Sequence, residues 1–126
     1  MKRLWICTAL LLALLATTLL NSRYIDRTVR TLTDRLDKAY TEAASDRWQR
    51  AAQLTEQARK LWQSRDVLFH ILLPHRDIDA IRLSFREVEQ YLSLEEPDQY
   101  NAANARLIEQ LGLLAEMERL DLKNIL

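Results

Sequence analysis

The sequence predicts an all-α protein: an N-terminal transmembrane helix followed by an antiparallel bundle of about four helices, arranged as two helical hairpins. Three observations predict it. The 126 residues include one glycine and two prolines, while 29% are charged, a composition that favours helix almost throughout. An uncharged apolar run fills residues 4–22. Beyond it, apolar residues recur three and four apart in successive stretches, the period of a helix with one buried face.

Composition also excludes several functions. A single glycine leaves no loop of the kind that cradles a phosphate or a dinucleotide. Cys7 is the only cysteine and lies in the first apolar run, so the rest of the chain holds no disulfide, thiolate zinc site or Cys–His nucleophile. Formal charge is zero overall, and without Lys2 and Arg3 there are 16 basic against 18 acidic side chains. That balance gives no electrostatic reason to bind nucleic acid.

The chain opens MKRLWICTALLLALLATTLLNSR. As a helix, Leu4 to Ser22 spans about 28 Å at about 1.5 Å per residue, close to the ~30 Å hydrocarbon core of a bilayer. Thr8, Thr17 and Thr18 are tolerable there because each hydroxyl can bond back to the preceding turn. Trp5 stands where an interfacial aromatic belongs. A cleaved signal peptide needs small residues at its cleavage site, and Ala16-Thr17-Thr18 followed by leucines fits that poorly. A lipoprotein signal needs a cysteine at the end of the run, whereas Cys7 is near its start. A core helix would show a polar face, and this run has none. The expectation is an uncleaved signal anchor over residues 1–22, touching lipid through residues 4–20, with a helical domain over 23–126.

Orientation is contested by the flanking charges. Lys2, Arg3 and the terminal amine favour a cytoplasmic N-terminus, yet Arg23, Arg27, Arg30, Arg35 and Lys38 follow the span. Long domains translocate largely regardless of charge. The expectation is therefore a single-pass protein of the cell membrane with its N-terminus inside and its helical domain outside.

The domain's elements follow in order. Ile25, Val29, Leu32, Leu36 and Tyr40 form one stripe on a helix of about residues 23–44, able to continue from the span, with Asn21 and Ser22 at the water boundary. Ser45 or Asp46 is placed to cap a second helix. On it, Trp48, Ala51, Ala52, Leu54, Ala58, Leu61 and Trp62 cover about half the circumference. Residues 66–74, DVLFHILLP, make a short apolar segment stopped by Pro74. Asp77 is placed to cap the next helix, which carries Ile78, Ile81, Phe85, Val88 and Leu92. LEEPDQY interrupts again, and Pro97 suits the first turn of the last helix. Its main face is Tyr100, Ala103, Leu107, Leu111 and Leu114. Leu113, Met117 and Leu120 widen that face past half the circumference, so they belong either to a broad core or to a partner contact.

An internal echo is explained equally by two tandem hairpins and by chance similarity of amphipathic helices, and it serves only to support pairwise hairpin packing. SDRW at 45–48 resembles PDQY at 97–100, and YID at 24–26 resembles DID at 77–79, at offsets of 52 to 53 residues.

The one cluster of metal-capable side chains lies in FHILLPHRDIDAIRLS, residues 69–84. Helical chelation wants ligands three or four apart on one face, but His70 and His75 are five apart with Pro74 between them. A bend is the favoured reading, with Asp77 and Asp79 complementing the positive end of a helix. A metal or ligand site of His70, His75, Asp77 and Asp79 is the alternative. No Glu-x-x-His, His-Glu-x-x-His or Gly-x-Ser-x-Gly occurs. No catalytic residue and no cofactor is expected.

Several stretches together resemble a bacterial family described only as a domain of unknown function, number four-three-six-three. They are the MKRLWI start, DRWQRAAQLTEQARKLW, HRDIDAI at 75–81, and the closing LDLKNIL at 120–126. The resemblance implies a membrane-anchored helical protein found mostly in spore-forming Gram-positive bacteria, with no assigned activity. The expected role is interaction or structure at the cell envelope, with a membrane or envelope protein, or a second copy, as partner.

Overall fold

A computed structural model describes residues 1–125, with side chains throughout that range except at positions 21, 22, 66, 72, 118 and 121–125. Five helices follow one another: α1 (Lys2–Ala44), α2 (Trp48–Ser64), α3 (Asp66–Leu72), α4 (His75–Ser93) and α5 (Pro97–Ile125). Among the described residues there is no strand.

α1 is one uninterrupted helix of 43 residues with two unlike halves. In the first, the apolar window has 0% of its residues buried, so this is no core helix. Thr8, Thr17 and Thr18 donate their hydroxyls to the carbonyls of Leu4, Ala13 and Leu14, each at 2.8 Å, which hides the polar groups within the helix itself. From Ile25 onward the same helix enters the core. By length and composition α1 can cross a membrane.

The second half of α1 packs with α2, α4 and α5 as a four-helix bundle. α1 lies against α2 and α5, and α4 against the same two. Buried positions alternate three and four apart on every helix: Ile25, Val29, Leu32, Leu36, Ala39 and Ala43 on α1, and Ile78, Ile81, Phe85, Val88 and Leu92 on α4. That spacing lets side chains of one helix fit between those of the next. Tyr40 falls off the stripe and is 46% exposed, with Ala39 and Ala43 buried in its place; Ala52 is likewise exposed.

Each side of the bundle is tied at its rim. Arg35 reaches Gln57 at 2.8 Å between α1 and α2. Arg59 meets Glu89 at 2.5 Å between α2 and α4, Arg106 meets Glu87 at 3.3 Å between α4 and α5, and Arg119 pairs with Asp26 between α5 and α1. Such ties, exposed or only partly buried, contribute about 1 kcal/mol or less each. Their service is to fix which residues stand level.

The two hairpins close identically. In the first turn Asp46 has φ 61°, and the amides of Arg47 and Asp46 donate to the carbonyls of Glu42 and Ala43 at 2.9 and 3.0 Å. In the second, Glu95 has φ 51°, and the amides of Glu96 and Glu95 donate to Tyr91 and Leu92 at 3.2 and 3.1 Å. This is the Schellman closure, normally built on glycine. Neither Ser45 nor Asp46 caps α2, whose first flanking residue is Arg47 with no side-chain cap. Asp77 likewise sits inside the first turn of α4, which begins at His75 after Pro74.

Structural equivalence between the halves runs at 49 residues, not the 52 to 53 of the sequence echo. Buried Ala51, Leu54, Thr55, Ala58 and Trp62 of α2 correspond to buried Tyr100, Ala103, Asn104, Leu107 and Leu111 of α5. Asp46 and Glu95, the two left-handed residues, keep the same spacing. Position in the buried stripe, rather than residue identity, is what repeats.

Candidate functional site

Three regions gather chemistry that the core does not absorb. The first is the corner between α3 and α4. The backbone at Leu73 is extended (φ −120°, ψ 155°), as the residue before a proline tends to be, and the chain turns into α4 at once. Phe69 and Leu73 are 0% and 7% exposed, and Phe69 stacks on Trp62 with ring centroids 4.7 Å apart. With α3 so fixed and α4 starting at His75, the two imidazoles meet: His70 Nδ1 lies 3.2 Å from His75 Nδ1. Three-or-four spacing governs ligands on a single helix, whereas Pro74 divides these histidines between α3 and α4. Asp77 is half-buried in the first turn of α4. Asp79 is exposed and faces Arg82 at 4.0 Å. Among the described residues, no group of three or more His, Cys, Asp or Glu is placed to hold a metal ion.

The second region is a groove between α4 and α5, with a volume of about 280 Å³, lined by Asp77, Ala80, Ile81, Gln110, Leu113, Leu114 and Met117. The broad apolar face of α5 divides here. Tyr100, Ala103, Leu107, Leu111 and Leu114 form core, whereas Leu113, Met117 and Leu120 stay 51%, 44% and 55% exposed. These three therefore form no part of a broadened bundle core.

The third is the junction where α1 leaves its bare half. Leu20, Arg23, Tyr24 and Arg27 of α1 line an open cleft together with Leu68 of α3. Arg65 lays its guanidinium 4.9 Å above the Tyr24 ring, a favourable cation–π distance.

Sequence reasoning missed one polar site altogether. Tyr100 is fully buried, edge-on to Trp48 with ring centroids 5.9 Å apart, and its hydroxyl has no hydrogen-bond partner. Burial, with a smaller contribution from Tyr40 nearby, pushes its pKa well above the usual tyrosine value. The signal was a tyrosine on a stripe whose other members are apolar. Asn104, also buried, donates to the Leu36 carbonyl at 3.3 Å.

The family model described as Domain of unknown function (DUF4363) matches residues 19–125. The chain belongs to this family. No curated protein and no solved structure matches the chain. The DUF4363 match begins in the last turn of the apolar run and takes in the whole bundle. Of the stretches that carried the resemblance, DRWQRAAQLTEQARKLW enters α2 and HRDIDAI opens α4. The closing Asn124-Ile125-Leu126 lies outside the residues whose side chains are described.

Proposed function

We propose that this DUF4363 protein is a membrane-anchored interaction or structural protein of the bacterial cell envelope, without catalytic activity. The observation that carries this reading is the division of α1 into an exposed apolar half and a core half on one helix. A continuous helical joint holds the bundle beside the bilayer and raises its local concentration for partners in the same membrane. The N-terminus lies in the cytoplasm and the bundle outside, the orientation that the start of the chain favours.

The partner contact in this reading is the α4–α5 groove and the exposed Leu113, Met117 and Leu120 beside it. It takes an apolar helix face of another envelope protein or of a second copy. Crosslinking in native membranes tests it. Leu113→Asp with Leu120→Asp should abolish the crosslinked assembly while leaving helicity and melting temperature unchanged. An undiminished assembly would reject this face.

A second reading is favoured by the His70–His75 pair. Two nitrogens 3.2 Å apart, each about 2.0–2.1 Å from one zinc ion, subtend about 100°, near the tetrahedral value. In this reading the corner senses a transition metal through His70 and His75 with water completing the shell, since among the described residues Asp77 and Asp79 are not grouped with the pair. Calorimetry of the full chain with zinc, nickel and calcium tests it. Binding of zinc and nickel, lost in His75→Ala, is the expected result, and absence of heat with all three disposes of it.

A further inference from the structure

We propose that α3 is an interfacial foot of the bundle, with Val67 and Ile71 entering the lipid and Arg23, Arg27 and Arg65 holding lipid phosphates. The proposal rests on the reading of residues 4–20 as a bilayer span, and it concerns a different part of the chain.

The cross-helix contacts give the depth of α3. Arg35 stands level with Gln57, and further down the same pair of helices Arg65 stands level with Tyr24. One more turn brings Leu68 beside Leu20 in a shared cleft. Leu20 belongs to the apolar run, so α3 reaches the depth at which the span begins. The opposite end of the bundle holds the two hairpin turns, where Asp46, Arg47 and Glu95 line one cleft.

α3 is apolar on more than its core side. Phe69 and Leu73 face the core, yet Val67 and Ile71, four residues apart and on one face, are each 75% exposed. In water that face would be a liability. At the edge of a bilayer it continues the apolar surface of residues 4–20, and lipid covers both.

Charge at the same level complements lipid headgroups. Arg23 and Arg27 line the cleft with Leu20 and Leu68, and Arg65 begins the turn into α3. None of the three is paired with a carboxylate among the described residues, in contrast to Arg59, Arg106 and Arg119. Guanidiniums at this depth reach outward to phosphates while their stems lie along apolar surface. The Nε of Arg65 is buried with no hydrogen-bond partner, which leaves the far end of that guanidinium to stabilise the side chain.

The test uses the full chain carrying Cys7→Ser, reconstituted in phosphatidylcholine–phosphatidylglycerol vesicles. A single nitroxide is placed by Leu12→Cys, Val67→Cys, Ile71→Cys or Leu94→Cys, with helicity checked for each. Collisions with oxygen report lipid, and collisions with an aqueous nickel complex report water. Positions 12, 67 and 71 should be oxygen-rich and nickel-poor, and position 94, on the exposed turn at the other end, the reverse. Changing Arg23, Arg27 and Arg65 together to Gln should abolish the lipid signature at 67 and 71 but not at 12. If 67 and 71 match 94 while 12 stays in lipid, the foot is overturned and the span stands. If 12 also reads water, both fall.

Discussion

At one end of the bundle the chain reverses within three residues, twice, at Ser45–Arg47 and at Leu94–Glu96. Both hold a non-glycine residue at positive φ, Leu94 is the one apolar residue among the six, and a Trp48–Tyr100 pair fills the space beneath. At the other end α2 and α4 are joined through ten residues, 65–74, which include a helix with its own buried aromatic and its own exposed apolar face. In the proposed orientation these short, mostly polar turns face water. The longer connection supplies core and apolar surface at the level where α1 becomes bare. The end nearest the apolar run thus carries the exposed apolar surface that the proposed foot would bury in lipid.

Several substitutions test this contrast. Phe69→Ala has the largest expected effect, a loss of about 3–5 kcal/mol as the stack on Trp62 becomes a cavity. Denaturant unfolding of the full chain in lipid nanodiscs measures it, and a loss below about 1 kcal/mol would detach α3 from the core fold. At the opposite end Tyr100→Phe should instead stabilise by about 1 kcal/mol, because it removes a buried hydroxyl without a partner. Tyr100 also makes this end sensitive to alkali. Its folded pKa is raised, so the neutral form's contribution is complete below the ordinary value of about 10 and is lost as pH rises above it. Melting temperature should therefore fall above that pH in the parent chain, and Tyr100→Phe should flatten the fall.

Smaller effects probe the symmetry of the two turns. Asp46→Gly and Glu95→Gly should each stabilise by roughly 0.5–1 kcal/mol, since glycine adopts the left-handed conformation without steric cost and loses part of that gain to chain entropy. Equal values at the two positions, read by thermal melting, support the 49-residue equivalence of the halves. Smallest is Arg106→Ala, within about 0.5 kcal/mol and weaker in salt, because its pair with Glu87 is exposed on both sides.

Much of this architecture was legible beforehand. Helical periodicity identified the four bundle helices, and Pro97 marked the start of α5, because a buried stripe constrains the residues that make it. The stripe's exact course was less legible. Tyr40 continued the apolar spacing of α1, but Ala39 and Ala43 took the buried positions, since the seam follows the partner helix rather than residue size. Identity misled the internal alignment for the same reason: SDRW and PDQY look alike, whereas the register is kept by Ala51 and Tyr100, which share nothing but burial. The His70–His75 meeting was illegible because spacing rules describe one helix, and here a proline corner folds two helix ends together. Membership of DUF4363 was readable from combined stretches, and the family model matched residues 19–125.

The proposed function requires the bare half of α1 to lie in lipid, which membrane partition of the full-length chain measures. Cells producing it are lysed, their membranes washed with alkaline carbonate, and the chain's N-terminus sequenced in each fraction. The chain is expected in the membrane pellet with Met1 or Lys2 still at its start. Recovery in the supernatant with that start intact would contradict it.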